Sequence, residues 1–516
     1  MNNRYDNKWM IALTVIMGTI MSALDTSIVN VALPYMRGNL GASIEEITWV
    51  ATGYILSSVI VMPIIGMLSA RFGRKRFYTF SILLFILSSM LCGMSWNLTS
   101  LVAFRIIQGI GGGALIPVSQ AILRESFPLE EQGMAMGIYG FGVVLGPAFG
   151  PTLGGWLTDN YSWPWIFYIN VPIGIINLFL IYRFLHDPPY LKREKGKIDF
   201  PGLGFLVIGL GALQLMLEKG EQKDWFASDF IVSLLIVSAA ALLLFIWREL
   251  HAERPAVDLR ILRDANFASG TVLGGVLGMG LYGSLFLLPL FLQQLLGYPA
   301  LDSGLALMPR SLAMALAMPV AGRFYNRSGP RFLIGIGLII TSLSFWQLSA
   351  LSLDAGFWDI FAPQFLQGVG FGMIFVALST AALSTVSRTR LTAAAGLYNV
   401  VRQVFGSIGI ALTATQLTRG ETIYRSVLVA NLTVFSPTMR SRVEVLKGAL
   451  LHMGTDPSTS YGAALKMLDA QLMRQAGMLA YNHVFLLVAY LFVIAIPLIF
   501  LLKHGRGGAA GNIVID

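Results

Sequence analysis

The chain has 516 residues, of which 55% are hydrophobic and only 12% charged, with a mean hydropathy of +0.70. A soluble chain of this length could not hide so much apolar surface in domains of ordinary size, so the composition excludes a globular protein in favour of one that crosses a membrane many times. The net charge of +9 comes from short basic runs between apolar blocks rather than from one basic face, which argues against nucleic acid as a partner.

A helix needs about 20 residues to cross roughly 30 Å of hydrocarbon. Blocks of that length bounded by charge, Pro or Gly predict fourteen spans, at 10–33, 47–69, 77–96, 100–122, 134–157, 165–185, 200–217, 229–247, 267–291, 303–322, 332–352, 358–385, 392–416 and 481–502. The first follows Arg4 and Lys8 and contains "MSA", as a cleavable leader would, but it runs past Asp25 to Leu33, too long for a leader's apolar core. Between the last two spans, residues 418–480 carry "TMRSRVEVLKGALLHMG" and "YGAALKMLDAQLMRQAGMLAY", separated by the breaker "TDPSTS". Their apolar periodicity predicts an extracytoplasmic helical hairpin, a solvated cap or a docking surface for a partner.

Orientation follows from the basic residues. Alternate connections such as "RFGRKR", "LKREKGK", "RFYNRSGPR" and "SRTR" fall on one side, and 23 of the 36 Lys and Arg lie there if both termini do. The short loops of the other side hold only Arg37, Lys219 and Lys223, and the long one holds seven. This asymmetry places both termini in the cytoplasm.

The chain repeats itself. "RIIQGIGGGALIPVSQA" from Arg105 matches "QFLQGVGFGMIFVALSTA" from Gln364, and "GIYGFGVVLGPAFG" from Gly137 matches "GLYNVVRQVFGSIG" from Gly396, both at an offset of 259. "GMLSARFGRKR" from Gly66 matches "GRFYNRSGPR" from Gly322 at 256. The implied architecture is an all-α membrane protein of six helices (1–190), two additional helices with their linkers (191–262) and six more (263–516), the last unit including the 418–480 hairpin. Arg105 stands where the second half has Gln364, and Arg402 where the first has Val143, so the scaffold does not demand either charge.

Asp25 is the acid set well inside a span, in "TIMSALDTSIVNVALP"; Glu125 lies at a span's cytoplasmic end. An isolated charge at mid-bilayer costs roughly 2.5–3.5 kcal/mol on insertion scales and implies a partner, a wet cavity or a proton. At about 1.5 Å of rise per residue, Asp25 lies roughly 13 Å below the outer surface, and Arg105 and Gln108 about 8 and 12 Å below it. The pair is either a permanent brace or a switch. In an apolar cavity burial favours the neutral acid and a guanidinium favours the carboxylate, so a balanced group can load and release a proton. Tyr54, Asn30, Arg310, Tyr398, Asn399, Arg402 and Gln403 are polar groups available to line a substrate cavity with Gln108; Arg310 alternatively snorkels to the interface. Gly142, Gly146, Gly150 and Gly154 form a smooth ridge, with Pro147 and Pro151 as bends.

With these residues assembled, the sequence resembles the major facilitator superfamily and, within it, the fourteen-span drug:proton antiporters of the EmrB/QacA type. The resemblance spans the chain and rests on "LDTSIVNVALP", "GMLSARFGRKR", "RIIQGIGGG", "GVVLGPAFGPTLGG" and "WPWIFYINVPIG". It implies the major facilitator fold, proton-driven export of lipophilic compounds from the bacterial cytoplasm, Asp25 as protonation site, Arg105 as coupling arginine, and Gly146 and Pro147 within the antiport motif. It also implies an inner-membrane pump working with a periplasmic adaptor and an outer-membrane channel. The cytoplasmic loop motif retains Gly66, Arg71, Gly73, Arg74 and Lys75, but Ala70 and Asn326 stand where the family's acids form an ion-pair latch.

Other classes find less support. There is no G-x-x-x-x-G-K-[ST] phosphate loop for an ATP-driven pump, and no G-x-S-x-G or H-E-x-x-H in a context that would make an enzyme. The single Cys92 and five scattered histidines give no metal-ligand spacing, so no cofactor beyond a proton gradient is expected. An importer of a small organic anion, or a receptor or scaffold that keeps the fold without transporting, remain alternatives. The cavity's arginines and its shortage of acids favour lipophilic neutral or weakly acidic substrates over dications.

Overall fold

The computed structural model describes residues 7–187, 199–252, 255–430, 432 and 436–502. The basic segment "LKREKGK" and the two chain ends lie outside the described residues. The helices are α1 (Lys8–Leu40), α2 (Glu45–Phe72), α3 (Arg74–Gly93), α4 (Leu98–Ser126), α5 (Gln132–Asn160), α6 (Trp165–Phe184), α7 (Phe200–Lys219) and α8 (Asp229–His251). They continue with α9 (Ala265–Leu290), α10 (Ala300–Ser328), α11 (Pro330–Leu348), α12 (Phe357–Ala382), α13 (Leu391–Ala430), α14 (Pro437–His452) and α15 (Pro457–Ala495). No strand occurs among the described residues. An apolar solvent leaves the backbone no partner but itself, and helices satisfy it within each segment.

Thirteen of the fourteen predicted spans are helices long and apolar enough to cross a membrane. The fourteenth is α13, a helix of 40 residues whose inner face carries Asn399, Arg402 and Gln403; those side chains lower its average hydropathy without shortening it. Both flanks of the predicted outer hairpin differ from expectation. α13 continues past residue 416 to Ala430, and the second hairpin helix is not separate, because α15 runs unbroken from Pro457 into the last span. Lys466, Asp469 and Arg474 sit in the part of α15 expected as the second hairpin helix, and no proline separates that part from the last span. α14 packs on α15 through Val443, Leu446 and Ala464, and Arg425 of α13 pairs with Asp469 at 2.9 Å.

In the first half α1 lies along α5 and touches α4 and α6, α3 packs on α4 and α6, and α2 packs on α4. In the second, α9 packs on α12 and α13, α10 on α12, and α15 on α11 and α13. The glycine ridge explains the first of these contacts: a Cβ on Gly146 would lie 2.5 Å from the carbonyl carbon of Ala23, and one on Gly150 2.6 Å from Ser27 Oγ. The repeat is visible at the two tight connections, where Gly73 (φ 87°) joins α2 to α3 and Gly329 (φ 76°) joins α10 to α11. Left-handed values of φ suit glycine, which lacks the clashing Cβ.

The halves meet at the C-terminal ends of α2 and α10 and the N-terminal ends of α5 and α13. A Cβ on Gly133 of α5 would meet the carbonyl oxygen of Gly322 at 2.6 Å, one on Gly137 the carbonyl oxygen of Met318 at 2.6 Å, and one on Gly66 of α2 the Cα of Ala393 at 2.7 Å. Across the same seam Arg124 Nη1 donates to Thr380 O at 2.8 Å and Asn399 Nδ2 to Gln120 Oε1 at 2.6 Å. Overpacking such a contact costs about 1–3 kcal/mol or moves the backbones apart. Gly137→Leu should therefore separate the halves here, read as a longer distance between spin labels at the exposed Glu130 and Arg327; an unchanged distance would remove glycine packing as the closing element.

Candidate functional site

Asp25 is fully buried on α1 and accepts three hydrogen bonds from two other helices. Arg105 Nη1 donates to Oδ2 at 2.6 Å, while Gln108 Nε2 and Asn170 Nδ2 donate to Oδ1 at 2.9 and 3.0 Å. Arg105 and Gln108 reach it together because residues three apart share a face of α4. Asn170 opens the second part of α6 directly after the turn at Ile169.

Arg105 has partners beyond the carboxylate. Its Nε donates to Val50 O of α2 at 3.0 Å and its Nη1 also to Gln108 Oε1 at 2.6 Å. The guanidinium carbon lies 4.3 Å from the Tyr54 ring centroid and 5.7 Å from that of Phe167, a cation held on π faces. Tyr54 is tied to α1 through Ser22, at 3.1 Å, and Asn170 Nδ2 also reaches Ser89 Oγ of α3 at 3.1 Å. If Asp25 took a proton, Arg105 would still hold two acceptors and two rings. The acid can therefore change charge without the arginine leaving.

The structure thus brings together Asp25, Arg105, Gln108 and Tyr54, the last as a wall for Arg105. Asn30 is exposed and outside the cluster. Arg310 does not snorkel: it is 4% exposed, and Nη1 donates to Ser284 Oγ at 3.2 Å and Gln367 Oε1 at 3.4 Å. The four polar residues of α13 have separate surroundings. Tyr398 is buried against Gly274, Asn399 bonds Gln120 across the halves, Arg402 lies 5.2 Å from the Phe375 ring centroid, and Gln403 accepts from Tyr282 Oη at 3.1 Å.

The ridge residues Gly142, Gly146, Gly150 and Gly154 all face α1, with Pro147 and Pro151 inside α5. In the loop motif, buried Arg74 pairs with Glu125, and the Lys75 backbone N–H donates to Asp187 Oδ1 at 2.7 Å. Gly66 lies against Ala393, Gly73 makes the turn, and Arg71 is half-buried at the end of α2. Asn326, where the resemblance implies an acid, donates to the Glu130 backbone carbonyl across the halves. Among the described residues no group of three His, Cys, Asp or Glu is placed to hold a metal ion.

Asn170 and Ser89 are the members that sequence reasoning missed. A signal existed for the first, an amide inside the apolar motif "WPWIFYINVPIG"; none marked the serine.

A Major Facilitator Superfamily profile matches residues 15–410. The chain belongs to that superfamily. It is 34% identical to the fatty acid resistance protein FarB of Neisseria gonorrhoeae, covering 96% of this chain and 97% of the relative. It is also 34% identical to the multidrug export protein EmrB of Escherichia coli (strain K12), covering 96% of each. Among solved structures, the proton:xylose symporter XylE bound to a bromodeoxyglucose superposes with a TM-score of 0.59 at 15% identity over 95% of both chains. The fold is the all-helical major facilitator fold of a multi-pass membrane protein.

Asn170→Val tests the cluster's geometry. It removes one of the two hydrogen bonds on Asp25 Oδ1, and a hydrogen bond to a charged group is worth about 1.5–3 kcal/mol. The thermal midpoint of the purified protein should fall; an unchanged midpoint would make Asn170 a bystander.

Proposed function

We propose that this protein exports lipophilic drugs or other toxic compounds across the bacterial cytoplasmic membrane in exchange for protons, with both termini in the cytoplasm. The observation that carries the reading is the Asp25 cluster: a fully buried carboxylate beside a guanidinium that keeps other partners when the acid is neutral. Proton loading at Asp25 weakens what holds α1 to α4 and α6, and release of the proton restores it. Substrate movement in the opposite direction is coupled through that difference. The names of the relatives, a fatty acid resistance protein and a multidrug export protein, support export as the direction.

Gln108, Tyr54, Asn30, Arg310, Tyr398, Asn399, Arg402 and Gln403 are the polar groups from which the substrate path is drawn, with the gradient as the only energy source. In the proposed assembly the extension of α13, α14 and the start of α15 stand outside the membrane as the seat for a periplasmic adaptor, which leads to an outer-membrane channel.

The decisive measurement is gradient-driven transport in proteoliposomes. Asp25→Asn should lose at least about tenfold in rate while substrate binding persists, since an amide cannot carry the proton. Asp25→Glu, which keeps an ionisable group, is the control for folding, because one charge of a buried pair left alone costs about 3–5 kcal/mol. Full coupling in the Asn variant would move the proton site elsewhere. The substrate class has its own check: a lipophilic weak acid should be transported faster than an organic dication at equal concentration, and the reverse order would sink that preference.

A further inference from the structure

The second half buries a cation that no described residue neutralises. Arg310 is held by a hydroxyl and an amide oxygen at 3.2 and 3.4 Å, both uncharged and both long for a guanidinium. Gln364, one turn before Gln367 on α12, is fully buried, and neither its amide oxygen nor its amide nitrogen has a partner. Gln367 Nε2 is unpartnered as well. Among the described residues no carboxylate lies within ion-pair distance of Arg310.

Comparison with the first half shows what is missing. Gln367 is the repeat mate of Gln108, Gln364 that of Arg105, and Ser284 stands at the same offset of 259 from Asp25. The second half therefore rebuilds the Asp25 cluster with the carboxylate replaced by a hydroxyl and the guanidinium moved from α12 to α10. Neutral acceptors return less than burial of a guanidinium costs, and unpaired buried amides add to the deficit. One anion would correct both.

We propose that Arg310, Ser284, Gln364 and Gln367 form a carboxylate-binding site that takes the head group of a lipophilic monoanion. The proposal rests on the export reading and names its substrate class. One carboxylate oxygen accepts from Arg310 and the other from the unpartnered amide nitrogens, the same division that Asp25 shows between Arg105 and Gln108. A single negative charge leaves the cluster neutral, which selects a monoanion over a dianion and over a cation. The cluster is closed to solvent in this conformation, so the anion enters when the halves have shifted.

The test is equilibrium binding of octanoate and of octanamide to the purified full-length protein at pH 7.4, in a non-ionic detergent. The wild type should bind octanoate at least about tenfold more tightly than octanamide, the scale of a charge-assisted hydrogen bond in a buried site. Arg310→Gln should erase the difference, and Arg310→Lys should keep part of it, which also controls for folding. Equal binding of the two probes by the wild type, or a preference that survives in Arg310→Gln, overturns the proposal. Asp25→Asn separates it from proton coupling: the carboxylate preference should persist in that variant, whatever becomes of gradient-driven transport, and its loss there would assign the anion to the first half instead.

Discussion

Asp25 and Arg105 are two charges taken out of water, and the first half is arranged so that neither is left short. Desolvating such a pair costs several kcal/mol per ion, which their attraction offsets only when the remaining lone pairs and protons are also met. Here α1 supplies the acid, α4 the guanidinium and one amide, α6 a second amide, α2 a carbonyl and an aromatic face, and α3 the serine that steadies Asn170. Five helices are therefore fixed relative to one another by one charge pair. A rearrangement that changes the charge on Asp25 changes the packing energy of all five.

The principal parts of that cluster were legible because charge in an apolar run is rare and depth can be counted. Asp25, Arg105 and Gln108 fall at similar depths and the last two share a helix face. Asn170 was not legible: its reach to Asp25 depends on the turn at Ile169 and on how α6 is rotated, and neither is local. Asn30 lies outside the Asp25 cluster for a geometric reason, since five residues along a helix turn the side chain by about 140° away from the Asp25 face. α13 shows length outweighing polarity: its inner face carries Asn399, Arg402 and Gln403, yet the span expected at 392–416 is a helix. The hairpin differs at its second helix: the sequence divides that helix from the last span at Tyr481, but no proline stands between Pro457 and Ala495 and α15 runs through unbroken.

The contact between halves combines close backbone approaches with a few side-chain hydrogen bonds. Gly133 against Gly322, Gly137 against Met318 and Gly66 against Ala393 bring carbonyls and Cα atoms into reach without any charge. Asn326 adds a neutral hydrogen bond to a carbonyl, and Arg74 finds its counter-charge in Glu125 inside its own half. Arg124 brings a charge to this seam through its bond to the Thr380 carbonyl, but the close packing and the neutral hydrogen bonds bare no ion when they part. An ion-pair latch would expose two charges to a changing environment at every cycle.

The two additional helices bear on how such a seam can move. α7 and α8 pack on each other, with Ser238 Oγ donating to Gly209 O at 2.9 Å, and α7 lies against both α2 and α13. Towards α13 the segment makes hydrogen bonds from Gln214 to Ser407, from Trp225 to Thr415 and between Thr418 and Glu221, each at 2.8 Å. Towards α2 the described side-chain bond is Thr52 to Glu218. Net values near 1 kcal/mol per hydrogen bond make the α13 side the costlier one to part, by roughly 2 kcal/mol. By this count, parting the helix pair from α2 would break only the Thr52–Glu218 hydrogen bond, two residues along α2 from the carbonyl that holds Arg105, whereas parting it from α13 would break three.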